Sequence, residues 1–320
     1  MIRLLTLFVC IGFLSNSQAQ VDRSVQPQPG PAPQINFGTP NEHQFKNGLT
    51  LMVVENHKLP QVSVSLSIDN PLAVEGEKAG LSGLLSSMMG KGSNNIPKDE
   101  FEEEVDFMGA RLSLSAQGGY ASALKRYFPR VFEMMADAVL NPHFLEEEFK
   151  KEVDKTLEGL KASEKDVKTS ARRVENLLSY GKDHPYGEYI SEESINKVSL
   201  NDLEQLYHKN FHAQNAYITI VGDIDFEAAK KLTKKYFGKW AKGQVKSMPF
   251  TKPENVDQTQ IAFVEMPNAV QSEVSVVSTA KIDRNNPDFY ALTIANQILG
   301  GGGEARLFLN LREDKGYTYG

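Results

Sequence analysis

The chain is 320 residues long, 40% hydrophobic, 24% charged and 9% aromatic, too apolar for a disordered protein and long enough for two domains. Lys and Arg number 35 against 41 Asp and Glu, a net charge of −6. No cationic block rises above that acidic background, which excludes nucleic acid as a main partner.

Residues 1–19 read as a secretory signal peptide: Arg3 gives the positive start, Leu4 to Leu14 the apolar stretch, and Ser17-Gln18-Ala19 a small-residue cleavage site. The expected destination is the periplasm or the medium. The apolar stretch is short of the ~20 residues that span a bilayer, and no later segment reaches that length, so no membrane span is expected. The only cysteine, Cys10, lies inside the segment to be removed, which leaves no thiol for nucleophilic chemistry, disulfides or Cys-ligated zinc.

Residues 20–40 are rich in Pro and Gln with no apolar period, a flexible lead. A domain over 41–238 follows. Leu49 to Glu55 and the alternation Val62, Val64, Leu66, Ile68 predict two strands joined as a hairpin through Asn56 to Pro60. Leu81, Leu84, Leu85 and Met88 have helical spacing, and Pro97 opens a second helix reaching about Met108. Short alternating runs at Ala110–Ala116 and Tyr120–Lys125, separated by Gly118-Gly119, predict another hairpin. Helices are expected over Pro129–Leu140, Leu145–Ser163, Ser170–Tyr180 and Ser199–Phe211, then a buried strand at Tyr217–Val221 and an amphipathic helix at Asp225–Phe237. The charge runs Asp99–Asp106 and Glu146–Glu158 read as solvated helix faces. Strands and helices alternate without a regular βαβ beat, so the predicted class is α+β, an antiparallel-rich sheet with helices packed on it.

A Lys/Gln/Pro-rich linker is expected at 239–258. The same grammar then restarts at 259: a strand at Ile261–Glu265, an alternating strand at Glu273–Ser278 and a helix at Pro287–Leu299, which predicts an internal repeat. The second copy reads as incomplete. A sheet cut at Gly320, just after the strand-like Tyr317-Thr318-Tyr319, would leave backbone groups unpaired, so the chain is expected to be a fragment of a longer protein.

Seven stretches carry a resemblance: Asn47-Gly48-Leu49-Thr50-Leu51; Gly80 to Ser93; Gly109-Ala110; His184-Pro185-Tyr186-Gly187; Asn215-Ala216-Tyr217 with Val221-Gly222-Asp223; Leu299 to Gly302 with Arg306-Leu307-Phe308; and Leu311-Arg312-Glu313 with Gly316 to Tyr319. In this order they resemble the insulinase/pitrilysin family, zinc peptidases with the inverted motif His-x-x-Glu-His, and in particular short bacterial members related to mitochondrial processing peptidase. The family places two His one helical turn apart on zinc, with a Glu beside them as base for the zinc-bound water. The resemblance puts those positions on Gly83, Ser86 and Ser87, and the remaining glutamate ligand on Gly159, next to Glu158. None of the four supplies an imidazole or a carboxylate, so no metal is expected in this chain.

Arg312 and Tyr319 match the family's Arg and Tyr seven residues apart, which the resemblance implies bind the substrate backbone and the developing oxyanion. It further implies capture of peptide as an added strand, with Arg111 to Ala116 as the candidate edge. The expected role is a non-catalytic, substrate-binding subunit of a two-chain zinc metalloendopeptidase. Zinc would be held by a catalytic partner chain in a heterodimer, and the substrate would be a peptide. Two rivals stay open: an active zinc metallopeptidase with atypical ligands such as His208 and His212, and a peptide-binding or structural module without a catalytic role. His208 and His212, at i and i+4, also read as a solvated helix C-terminus. His184 reads as a loop-packing residue, and His43, His57 and His143 show no partner pattern. Gly300 to Gly303 lack the Lys-Ser/Thr of a phosphate loop and read as a flexible loop near the substrate cleft.

Overall fold

The protein is described by a computed structural model covering residues 38–243 and 249–320, with Gly30, Pro31 and Gln34. The expected signal peptide and most of the lead lie outside the described residues. The described residues hold six strands: β1 (Asn41–Gln44), β2 (Thr50–Glu55), β3 (Gln61–Ile68), β4 (Arg111–Ser115), β5 (Gly118–Leu124) and β6 (Ala216–Gly222). They form one sheet in the order β1-β2-β6-β3-β5-β4. Only β2 and β6 run parallel; the other neighbours are antiparallel. The α+β class and the β4–β5 hairpin agree with expectation.

The predicted β2–β3 hairpin does not form. β6 enters between the two strands, pairing Leu51 with Ile218 on one side and Leu66 with Ile218 on the other. The physical reason is burial. Leu51, Val53, Val64, Leu66, Ile218 and Ile220 are all buried, and a strand with both edges hydrogen-bonded and one face in the core is more stable inside a sheet than at its rim. Asn56 to Pro60 therefore crosses the end of β6. There Asn56 N–H donates to the Gly222 carbonyl (2.8 Å) and Asp223 N–H to the Gln61 carbonyl (3.0 Å). Gly222 has φ +140°, and a Cβ on it would lie 2.2 Å from the Gln61 carbonyl oxygen. Beyond it, His57 Nδ1 donates to Asp223 (2.6 Å), as does Lys125 Nζ (2.9 Å). Those two donors hold the Asp223 carboxyl below the usual carboxylate range, and Asp223 in turn raises His57.

The helices of this part are α1 (Leu81–Met88), α2 (Lys98–Phe107), α3 (Phe128–Leu140), α4 (Glu146–Ser163), α5 (Val167–Tyr180), α6 (Glu192–Asn196), α7 (Leu200–Asn210) and α8 (Phe226–Phe237), of which α1, α2, α3 and α8 make the main contacts with the sheet. Pro129 sits in the first turn of α3, where its missing N–H costs nothing. α3 buries Val131, Phe132, Met134, Met135, Ala138 and Val139 against β3 and β5, and α8 packs on α3 and β2. Ser191 with Ser194, and Ser199 with Asp202, form capping boxes that start α6 and α7. Among the described residues no helix is long and apolar enough to cross a membrane.

After residue 248 come α9 (Phe289–Gly300) and α10 (Arg306–Phe308), the latter running into a π-helical turn at Leu309–Asp314. The helix predicted at 287–299 is thus α9. The strands predicted at Ile261–Glu265 and Glu273–Ser278 do not form; residues 249–288 hold neither strand nor helix. Alternation supplies two faces, but a strand exists through its ladder, and no described strand runs beside these segments. Ile261, Phe263, Val274 and Val276 are accordingly exposed. One cross-link bridges the stretch: the Asn255 side chain donates to the Thr279 carbonyl (2.7 Å) and accepts from its N–H (2.8 Å).

Substituting Gly222→Ala should cost about 2–4 kcal/mol, from the positive φ and the Gln61 clash together. Gly159→Ala, in a helix where a Cβ meets nothing, should instead add about 0.5–1 kcal/mol. Urea unfolding midpoints of the two variants would move in opposite directions.

Candidate functional site

α1 carries Gly83, Ser86 and Ser87, three of the four positions onto which the resemblance puts the metal ligands and base. Its eight residues, Leu-Ser-Gly-Leu-Leu-Ser-Ser-Met, bury Leu84, Leu85 and Met88, and it packs against α7 and α4. A carboxylate starts the helix. Glu75 accepts from Gly80 N–H (2.7 Å), Ser82 N–H (2.8 Å) and the Ser82 hydroxyl, filling orphan donors of the first turn with the charge the helix dipole favours there. Gly80 itself has φ +105°, and a Cβ on it would meet Ile195 Cδ1 at 2.5 Å.

Gly83 is exposed, and Ser86 and Ser87 are half-buried. Gly159 is exposed on α4, the helix packed on α1. At both glycines a Cβ would enter open space, so no neighbouring side chain has moved in to fill it. Ser86 is engaged structurally. Its hydroxyl donates to the Ser82 carbonyl (2.9 Å) and accepts from Ala116 N–H (3.0 Å), tying α1 to the end of β4. Glu158 is exposed. Glu152, two turns before Gly159 and without a signal in the sequence, is buried and pairs with Lys91 just beyond α1 (3.0 Å). The tie between α4 and the end of α1 is thus an ion pair.

A zinc ion needs three protein ligands bearing nitrogen, sulfur or carboxylate donors. Gly83, Ser86, Ser87 and Gly159 offer none, and these residues do not fit the metal. His208 and His212 do not share a helical face: α7 stops at Asn210, and His212 stands in extended backbone (φ −131°, ψ 146°). The i, i+4 geometry requires unbroken helix, which Phe211 ends (φ −92°, ψ 88°). His212 instead lies under Gly243, where a Cβ would meet its ring at 2.4 Å. His184 is buried, its Nδ1 accepting from Tyr186 N–H (3.1 Å) and its ring stacked on Tyr180 (4.9 Å), a packing residue.

The structure brings Arg312 and Tyr319 together. Arg312, in the π-helical turn, donates through Nη1 to the Tyr319 carbonyl (3.2 Å). Its guanidinium lies 5.9 Å from the Tyr319 ring and 4.8 Å from that of Phe308. Tyr319 is 86% exposed, so the phenol hydroxyl is open to a ligand. β4, the candidate peptide edge, is a terminal strand of the sheet, with Arg111 and Ser113 exposed and Leu112 and Leu114 turned toward the core. The glycine run ends α9: Gly301 N–H donates to the Gln297 carbonyl (2.9 Å) and Ala305 N–H to the Gly302 carbonyl (3.0 Å).

Comparison with known proteins joins these features to a family. Residues 51–194 match the family described as Insulinase (Peptidase family M16), and residues 197–320 the one described as Peptidase M16 inactive domain. An uncharacterized zinc protease of Bacillus subtilis (strain 168), YmxG, is 26% identical over 282 residues, covering 86% of this chain and 67% of that protein. Cytochrome b-c1 complex subunit 1 of Bos taurus mitochondria is 24% identical over 265 residues, covering 80% of this chain and 54% of that subunit. The crystal structure of a peptidase M16 inactive domain from Pseudomonas fluorescens superposes with a TM-score of 0.72 at 22% identity, over 88% of this chain and 69% of that one; that likeness concerns the fold.

Replacing Ser86 by Ala should destabilise the protein by about 1–3 kcal/mol, the cost of leaving the Ala116 N–H without its acceptor. Chemical denaturation checks the loss. A midpoint unchanged from wild type would contradict the structural role of this hydroxyl.

Proposed function

The chain belongs to the insulinase peptidase family, M16, and from that premise we propose that it is the non-catalytic, substrate-binding half of a two-chain zinc metalloendopeptidase. The observation that carries this reading is α1. Where the family has its ligands and base, the helix persists with its cap and buried stripe but holds Gly83, Ser86 and Ser87, and Ser86 is spent on the link to β4. Zinc then belongs to a catalytic partner of the same family, and proteolysis is a property of the pair.

In this reading the chain comprises an N-terminal domain at 41–238, a linker at 239–258 and the start of a second domain from 259, and it is exported. Peptide binds along the β4 edge through backbone hydrogen bonds, which tolerate many sequences. Arg312 and Tyr319 complete the partner's site, a guanidinium and a phenol hydroxyl serving as donors for a carbonyl oxygen that gains charge.

The similarity to cytochrome b-c1 complex subunit 1 favours one other reading, a structural module of a larger assembly. The two part on one test. Mixed with a zinc-bearing family subunit, the chain should give chelator-sensitive peptide cleavage, while alone it cleaves at background rate. Arg312→Ala or Tyr319→Phe should lower kcat/KM of the pair by about 100-fold. Pair activity indifferent to both substitutions would leave the structural reading, and cleavage by the isolated chain would overturn both.

A further inference from the structure

The crossing of the β2–β3 connection over the end of β6 gathers metal-ligating groups on elements other than α1. Glu55 ends β2, His57 stands in the crossing loop, and Asp225 is the N-cap of α8. One carboxylate oxygen of each acid and a ring nitrogen of His57 lie within 4.8 Å of one another. We propose that Glu55, His57 and Asp225 bind one divalent transition-metal ion, zinc or a metal of similar preference.

The donor set is one imidazole and two carboxylates, a combination zinc accepts with water in the fourth position. Each of two ligands is aimed by a bond made through its other atom. His57 Nδ1 donates to Asp223 (2.6 Å), which leaves Nε2 facing Glu55 Oε2 (3.6 Å); Glu55 Oε1 accepts from Phe226 N–H (2.9 Å). A carboxylate behind the imidazole is the arrangement that orients a metal-ligating histidine and strengthens its basicity. Asp223 is anchored in turn by Lys125 (2.9 Å).

The charges match as well. Glu55, Asp223 and Asp225 set three negative groups against the single ammonium of Lys125, and a divalent ion balances the remainder when His57 is neutral. On binding, the ion takes the Nε2 lone pair, and any proton there leaves to solvent. The His57 side chain is 52% exposed, so the ion enters directly from water. The ligands come from two stretches of chain far apart in sequence, Glu55-Asn56-His57 and Asp225, and the ion would fasten the crossing loop to the start of α8.

Zinc chloride titrated by calorimetry into the full mature chain, freed of metal beforehand, tests the site. One equivalent should bind. His57→Ala should abolish that uptake, Asp223→Asn should weaken it about 10–100-fold, and Ser87→Ala on α1 should leave it unchanged. Zinc should also shield His57 from carbethoxylation by diethyl pyrocarbonate in the unmodified protein, read by peptide mass mapping, a measurement that needs no variant. Absence of saturable binding, or an equivalent that survives His57→Ala with His57 still reactive, would overturn the proposal. Neither result bears on cleavage by the two-chain peptidase, which is read by activity alone.

Discussion

The insertion of β6 between β2 and β3 is the constraint on which the rest of the structure depends. Two rows of side chains, Leu51–Ile218–Leu66 and Val53–Ile220–Val64, run across three strands and close the core under α3. Residues 216–222 are separated from their partners by about 150 positions of sequence, so a large loop must close before the central ladder gains anything. α1 to α7 are thus carried on an excursion between β3 and β6. Gly222 marks the place where that excursion is locked, because only a residue without a Cβ lets the crossing loop approach the strand end.

With no ligands for a metal at its centre, α1 is held by polar contacts at its ends and apolar ones along its side. Glu75 caps the helix, and Glu188 secures the segment before it by accepting from Glu75 N–H (2.8 Å) and Gly76 N–H (2.5 Å). At the other end Lys91 reaches Glu152 of α4. Burial of Leu84, Leu85 and Met88, at roughly 1.5–3 kcal/mol each, outweighs the about 1 kcal/mol that glycine costs in a helix interior. The helix therefore holds its shape without help from a bound ion.

Much of this was legible in the sequence where the signal was local. The periodicity of α3, α4 and α8 and the alternation of β3 each identify an element from neighbouring residues alone; the break expected at Gly118-Gly119 lies instead at Ala116-Gln117, with both glycines paired inside β5. What escaped depended on distant partners. Asn56 to Pro60 looks like a hairpin turn until a third strand is known to lie between its arms. The predicted strands near 261 and 273 have the right alternation but nothing described beside them to pair with. His57 shows no partner in sequence because Asp223 is 166 residues away. Glu-x-His at a strand end and Asp-x-Asp after Gly222 are weak patterns separately, and only the parallel β2–β6 register brings them together. Arg312 and Tyr319 were found through the resemblance, since a spacing of seven in irregular chain implies no contact.

Ser86 also bears on how such a chain changes over generations. Its hydroxyl satisfies the Ala116 N–H from a short, fixed reach, so selection for folding acts on the position onto which the resemblance puts a catalytic base. A glutamate arriving there would have to abandon that bond before any metal existed to reward it, and the two histidines would have to arrive as well. The loss of the Ser86 bond costs stability whichever order the changes take. The hydrogen bond thus works as a ratchet, setting a folding cost against any change of Ser86.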